Sequence, residues 1–418
     1  MNRIALVAAA LAGWTIAAAG ADEWPQFRGP ERNGISPAKN LPTEWSADKN
    51  VVWKQAVGQG WSSPVLHQGR IFLTASKPGG SGQSLGALCL DAASGKILWN
   101  TDVFTPAASP KIHQKNSHAS PTPIVEAGRL YVHFGHQGTA CLDLKGKVLW
   151  RNTELGYPPV HGSGGSPVIV EDVLVFSCDG AQNPFIVALD KATGKVRWKA
   201  PRVADVRKKF SFSTPQVIAV KGQMQIVSPG SGAVCALNPK DGKELWRARY
   251  GEGYSVIPQP AFGHGMIFLS TGFDRPSLMA IRADGQGDVT DTHVAWTLAR
   301  GAPHTPSPLL VGDELYLVAD SGIASCVDAK TGAVHWSERL GGNFSASPLY
   351  ADGKIYCPNE QGVCFVLKPG KTFEKLAENS LGERTLASFA AMDGALFIRT
   401  ETQLYRVGKS TVAKAAAP

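Results

Sequence analysis

The stretch Ala188-Leu189-Asp190-Lys191-Ala192-Thr193-Gly194-Lys195-Val196-Arg197-Trp198 decides the fold. A small and apolar run enters Asp190, a polar turn follows, and a short strand ends on tryptophan. Asp and Thr side chains hydrogen-bond the backbone of such a turn, and Gly supplies the positive φ that a tight turn needs. Trp198 is large enough to dock against a neighbouring unit. The phrase recurs at Cys89-Leu90-Asp91-Ala92-Ala93-Ser94-Gly95-Lys96-Ile97-Leu98-Trp99 and at Val327-Asp328-Ala329-Lys330-Thr331-Gly332-Ala333-Val334-His335-Trp336, and in altered form at Leu237-Asn238-Pro239-Lys240-Asp241-Gly242-Lys243-Glu244-Leu245-Trp246.

Aligned on tryptophan, the chain becomes a ladder of Trp53, Trp99, Trp150, Trp198, Trp246, Trp296 and Trp336, with steps of 40 to 51 residues. A period in this range indicates a propeller or a solenoid. Each unit opens on Ser-Pro or Thr-Pro, runs through two alternating segments, and closes with the turn and the tryptophan strand, which makes the four-stranded blade of a β-propeller. The first strands begin at Ser63-Pro64, Ser120-Pro121, Ser166-Pro167, Thr214-Pro215, Ile257-Pro258, Ser307-Pro308, Ser347-Pro348 and a degenerate Ala387-Ser388. The eighth unit lacks its tryptophan strand, and the orphan Val51-Val52-Trp53-Lys54 supplies it. The expectation is an all-β, eight-bladed propeller of four-stranded antiparallel blades over residues 51–407, closed by the N-terminal strand so that no sheet edge is left open. Residues 22–50, with Trp24, Pro25, Phe27 and Trp45, read as an irregular segment packed on the ring, and residues 408–418 as a flexible tail.

Composition agrees. The 418 residues are 43% hydrophobic and 18% charged, with 45 Gly, 28 Pro and 11 Trp, which excludes a disordered chain and argues against a helical array. The net charge of +8 is dispersed. No cationic run exceeds Arg207-Lys208-Lys209, so a nucleic-acid partner is not expected. Met1-Asn2-Arg3, the apolar stretch Ile4 to Ala19 and the small residues Ala19-Gly20-Ala21 read as a cleaved signal peptide over residues 1–21. The protein is thus expected to be exported, periplasmic or secreted, with no transmembrane segment in the mature chain. Of the seven cysteines, Cys89, Cys141, Cys235, Cys326 and Cys364 recur in similar contexts and read as small buried core residues. Cys357 and Cys364 flank the turn 358–363 and could pair across a hairpin.

The phrase at residues 188–198 and its echoes resemble the tryptophan-docking motif of pyrroloquinoline-quinone-like (PQQ-like) propeller repeats, in the quinoprotein alcohol dehydrogenase-like superfamily. The resemblance spans nearly the whole mature chain. It implies an eight-bladed ring and points to two kinds of relative, quinone-dependent dehydrogenases and the propeller lipoprotein of the outer-membrane β-barrel assembly machinery. Trp24-Pro25-Gln26-Phe27-Arg28-Gly29-Pro30 and Lys115-Asn116-Ser117-His118-Ala119-Ser120-Pro121 look like segments of exported propellers from planctomycete-type bacteria. Two departures stand out: there is no adjacent Cys-Cys pair and no matching calcium-ligand set of the dehydrogenases, and Ala21-Asp22 stands where the assembly protein carries its lipidated Cys.

In a four-stranded blade the blade-to-blade connections and the loops between second and third strands share one face, so their residues converge on one mouth of the central channel. The connections contribute Trp61, His113 with Lys115, Asn116 and His118, His161, Lys209 with Phe210, Tyr254, Arg300 with His304, Asn343, and Arg384; the loops add His136, Asp179, Arg275, Asp320 and Glu360. Such non-repeating polar residues are not needed to build a blade and mark a binding mouth. Cations among rings suit an anionic or sugar-like ligand, and the mouth could equally serve an exported or envelope protein partner. Histidines 113, 118, 133, 136 and 161 come from neighbouring blades, but their spacing is no metal signature, and no metal is expected. The sequence thus points to an exported, non-catalytic binding or assembly module; the alternative is a PQQ-dependent oxidoreductase with Asp179, Asp320 or Glu360 as base.

Overall fold

The computed structural model describes residues 23–79, 82–108, 110–202 and 206–409; the signal-peptide reading and residues 410–418 fall outside them. Eight antiparallel sheets follow one another around a ring, each in the strand order first to fourth from the axis outward. Blade 1 is Val65–His67, Arg70–Gly79, Gly82–Asp91 and Ile97–Phe104, and the plan repeats to blade 7. Blade 8 takes Ala390–Met392, Ala395–Arg399 and Gln403–Gly408 from the C-terminus and Val51–Ala56 from the N-terminus, in antiparallel register from Val51↔Val407 to Ala56↔Gln403. The last strand therefore includes Gly408, paired with Ala395, one residue beyond the expected limit.

Blades are fastened by tryptophan. Trp53, Trp99, Trp150, Trp198 and Trp296 each donate the indole N–H to a carbonyl in the next blade's final turn, at 2.8 to 3.2 Å, the acceptors being Ala92, Leu144, Lys191, Pro239 and Ala329. The turn glycine lies flat on the ring. A Cβ on Gly194, whose φ is +74°, would fall 2.5 Å from the Trp150 ring, so glycine is needed there for both conformation and contact.

Two blades depart from the pattern. Trp246 donates instead to Gln225 Oε1 of its own blade at 2.9 Å, because the following blade replaces the short turn by a longer excursion. Gly287–Asp288 pairs in parallel with the outer strand Glu244–Arg249, and the single helical turn Thr290–His293 leads back. Blade 7 has Ala377 where the docking tryptophan would stand, and blade 8 has no turn to receive one, since its third and fourth strands come from opposite chain ends. The vacated place is taken by Trp45. Its ring lies 6.2 Å from Tyr356, matching Trp99 on Phe72, Trp150 on Tyr131 and Trp336 on Tyr316 within their own blades. Asn379 Oδ1 accepts the Trp45 backbone N–H at 2.8 Å, holding the segment along the outer strand of blade 7.

The structure corrects three smaller readings. The residues equivalent to Ser63-Pro64 in blades 2 and 5 are Thr122-Pro123 and Gln259-Pro260, two residues beyond the pairs Ser120-Pro121 and Ile257-Pro258, because the strands begin at Ile124 and Ala261. Cys357 and Cys364 are both free. Register places Cys357 opposite Phe365 and Cys364 opposite Pro358, so the two thiols point to opposite faces of the sheet and pack in different cores. Cys235 is only half-buried and receives an N–H from Arg202 at 3.7 Å.

Trp198→Ala and Trp45→Ala are each expected to cost about 3 to 5 kcal/mol in urea unfolding, as truncations of large buried side chains. A loss under about 1 kcal/mol for Trp45→Ala would show that the N-terminal segment merely rests on blade 7.

Candidate functional site

The residue heading each first strand faces the axis. Backbone N–H groups of Ser63, Thr122, Ser166, Gln259, Ser307 and Ser347 donate to the hydroxyls of Thr122, Ser166, Thr214, Ser307, Ser347 and Ser388, each in the next blade, at 2.9 to 3.0 Å. The result is a collar of hydroxyl groups around the channel. Each oxygen is oriented by the N–H it accepts, and among the described residues none of the six hydroxyl protons has a protein acceptor. At the fifth blade Gln259 replaces the hydroxyl and donates from Nε2 to Pro215 O at 3.0 Å.

Above the collar lies a cavity of about 460 Å³, within the range of small-molecule sites. Its far end is closed by the N-terminal segment. Trp24 bridges Leu66 of blade 1, Pro25 O accepts from Val125 N of blade 2, and Arg28 donates to Pro308 O of blade 6 at 2.6 Å. Gln216 of blade 4 donates to Arg32 O, and Ile35–Ser36 pairs with Tyr350 and Ala351 of blade 7. A segment touching blades 1, 2, 6, 4 and 7 in turn crosses the axis, and it places the Phe27 ring in the cavity. Arg28 beside it is wholly buried without a carboxylate, and burial lowers its pKa to about 9.

Toward the mouth, rings form an arc along five consecutive blades. Centroids are 5.3 Å apart for His113 and His161, 5.4 Å for His161 and Phe210, 5.5 Å for Phe210 and Tyr254, 6.2 Å for Tyr254 and Phe273, and 4.2 Å for Phe273 and His304. The first three pairs meet edge to face, so successive rings alternate in the aspect they turn to a neighbour. Burial and the adjacent His113 hold the His161 pKa below its usual value.

Charged groups around the mouth have partners within the protein, Lys208 on the arc's Tyr254 hydroxyl at 2.6 Å among them. Lys115 Nζ lies 2.7 Å from Glu360 Oε1, which also accepts the Ser345 hydroxyl at 2.6 Å. Asp320 accepts the backbone N–H groups of His304 and Thr305 and the Thr305 hydroxyl, at 2.6 to 3.1 Å. Arg384 lies 5.5 Å over the Trp61 ring and donates to Gln114 O. Asn116 Nδ2 and His113 N both donate to His161 O, at 2.8 and 3.1 Å. The connection between blades 1 and 2 is thereby drawn over the mouth and tied to blades 3, 7 and 8.

Trp61, His113, Lys115, Asn116, His161, Phe210, Tyr254 and Asp320 lie on the cavity wall. Others sit elsewhere. Asp179 is buried behind the wall, bound to Arg202 Nε at 2.7 Å, with desolvation raising its pKa to about 6. His118 and His136 are half-buried off the wall, and burial lowers both pKa values. Arg275 lines a neighbouring depression with Arg207 and Lys208. Arg300 and Asn343 are exposed, Lys209 is half-buried off the wall, and Glu360 and His304 stand just behind wall residues. Phe27, Phe212 and Phe273 and the hydroxyl collar were not anticipated as wall. Five of the six collar residues, all but Ser388, were legible as a Ser or Thr before a first-strand Pro; nothing local pointed to Phe27.

Among the described residues no three His, Cys, Asp or Glu side chains gather as a metal site. His133 instead sits in the core against Phe176, centroids 4.2 Å apart, with Nδ1 2.8 Å from Thr139 Oγ1.

The sequence matches the family described as "Outer membrane protein assembly factor BamB" over residues 45–208 and 182–413. The chain belongs to this family. The BamB of Yersinia pestis is 22% identical over 375 residues, covering 87% of this chain and 79% of that protein. The quinone-dependent alcohol dehydrogenase subunit of Gluconobacter oxydans is 26% identical over 218 residues, 48% of this chain but 26% of its own length. In structure, BamB from Moraxella catarrhalis superposes with TM-score 0.60 at 13% identity, over 87% of this chain and 98% of that one. Quinohemoprotein alcohol dehydrogenase from Comamonas testosteroni superposes with TM-score 0.69 at 13% identity, over 95% and 82%. These likenesses establish the propeller fold of the family. A quinone with its calcium ion does not suit this donor set, because the wall carboxylate Asp320 is committed to N–H and hydroxyl donors, Glu360 behind it is committed to Lys115, and no two cysteines are adjacent.

The buried His133 has a pKa lowered to about 3 by desolvation. The unfolded chain binds this proton more tightly, so stability is full above pH 6.5 and is lost as pH falls toward the folded value, by about 3 kcal/mol at pH 4. His133→Phe is expected to flatten that part of the pH–stability curve measured by urea unfolding; an unchanged slope would show that His133 titrates normally.

Proposed function

We propose that this chain is an exported binding and assembly module that engages its ligand or envelope partner through the mouth of the central cavity. The observation that carries this reading is a pre-built pocket, closed below by Phe27, collared by oriented hydroxyls and walled by rings, beside charged groups that the protein already satisfies. Sites of this kind bind by shape and by a few fixed polar groups. The family's assembly factors support a role in the envelope, and among the described residues no helix is long and apolar enough to cross a membrane.

The similarity to quinone-dependent dehydrogenases supports a second reading, in which the cavity takes pyrroloquinoline quinone. The two separate in one titration. Purified protein mixed with micromolar pyrroloquinoline quinone and calcium should leave the cofactor free in equilibrium dialysis, whereas a retained quinone absorbance overturns the binding-module reading. His118→Ala and Arg384→Ala should leave stability within about 0.5 kcal/mol of the parent in urea. Losses comparable to that of Trp198→Ala would make them packing residues.

A further inference from the structure

Resting on the binding-module reading, we propose that the cavity takes the end of a neutral saccharide, stacked on the aromatic arc and hydrogen-bonded to the hydroxyl collar. Collar and arc are independent features that demand the same chemistry. Thr122, Ser166, Thr214, Ser307, Ser347 and Ser388 are at least nine-tenths buried and all face the cavity. Each spends one lone pair on a neighbour's N–H and keeps both its proton and a second lone pair. A ring of groups that both donate and accept complements a ligand whose own groups do the same, and vicinal hydroxyls are such groups. Buried hydroxyls left without partners are costly, so the site is built to be wetted or filled.

The arc decides the ligand's body. Aromatic faces carry negative π-density, which attracts the weakly positive C–H face of a pyranose. The arc from His161 through Phe210 and Tyr254 to Phe273 gives such a ring a curved wall, and Trp61 stands in the same cavity.

Charge decides against an anion. Burying one costs several kcal/mol unless a cation meets it. Lys115, the cation on the wall, is bound to Glu360, while Arg384 lies over Trp61 and Lys208 over Tyr254, both off the cavity wall. Asp320, on the wall and half-buried, would repel a carboxylate or phosphate while accepting a sugar hydroxyl. The open mouth leaves room for further sugar units outside.

The test uses the full mature chain with glucose, mannose, galactose, cellotetraose and maltotetraose as probes, and with benzoate and inorganic phosphate as anionic controls. At least one neutral saccharide should bind with a millimolar or tighter Kd in calorimetry, and saturation-transfer NMR should carry magnetisation from aromatic ring protons to its C–H face. Phe210→Ala and the pair Ser166→Ala with Ser347→Ala should each weaken binding about tenfold or more. Should a collar variant fail to fold, the ring-to-sugar transfer in the parent protein decides alone. Tetrasaccharide binding without monosaccharide binding would identify a chain end; monosaccharide binding, a free sugar. No saccharide binding at about 20 mM, well above a millimolar Kd, or binding without ring contact, overturns the proposal. Binding of benzoate or phosphate alone overturns it while leaving the binding-module reading intact, and retention of pyrroloquinoline quinone in dialysis would remove that reading itself.

Discussion

The ring depends on one contact, made at six of its eight blade junctions, a tryptophan lying on the final turn of the next blade. It couples two requirements in one place. The turn must bring a carbonyl within reach of the indole N–H, as Lys191 O does for Trp150 at 3.2 Å, and must present no side chain beneath the ring, as Gly194 does. Aspartate sets the geometry by accepting turn N–H groups, with Asp190 Oδ1 taking those of Ala192 and Thr193 at 3.1 and 2.8 Å. Sequence pattern, turn conformation and inter-blade packing are therefore a single constraint. Where the turn is lengthened, in blade 5, Trp246 turns to Gln225; where the turn is absent, in blade 8, the chain drops the tryptophan and Trp45 fills the space against Tyr356.

Closure raises a problem that the repeat alone does not solve. At the seam between blades 8 and 1 the third and fourth strands of blade 8 come from opposite ends of the chain, so pairing there carries the loop-closure entropy of nearly the whole polypeptide. Trp53 docks on blade 1 as the other tryptophans dock, through Ala92 O and Gly95. Nearer the axis Arg399 spans the seam, donating to Ser62 O, Ser62 Oγ and Thr74 O. It does so fully buried and without a carboxylate, and desolvation lowers its pKa to about 9. A guanidinium is the side chain that keeps its charge at neutral pH under such a shift. The seam is held by a cation against oxygen dipoles.

The ring was legible because tryptophan, glycine and aspartate recur with a period, and periodic residues must serve the blade. The site was legible only in part, for the same reason inverted. His113, Lys115, Asn116, His161 and Tyr254 interrupt the repeat on connections that lead to the axis, and they lie on the cavity wall. His118 and Asp179 interrupt it equally, yet neither lines the cavity, and Asp179 ends on Arg202. Connectivity fixes which face a loop occupies but not which way its side chains point. Phe27 carried no signal, since its place depends on a segment crossing the axis through contacts with five blades. The collar hid in plain view: Ser and Thr before Pro looked like strand punctuation, although their hydroxyls link successive blades.

If the cavity binds as proposed, that double duty bears on how this propeller carries a ligand site without disturbing its fold. The tryptophan belt fastens blades at the outer radius, and the collar fastens them again at the inner one. Because a collar hydroxyl supports the ring with a lone pair, its proton is left over, and six such protons face one cavity. On the proposed reading, stability and recognition are drawn from different atoms of the same contact. Changing what the cavity accepts requires only new side chains on the connections above, such as the rings of Phe210 and Tyr254, while the collar below stays fixed by its structural work. The blocking segment from Trp24 to Ser36 completes the arrangement. A channel open at both ends would exchange water along its length, whereas one sealed beside Phe27 has a floor against which a ligand can be held.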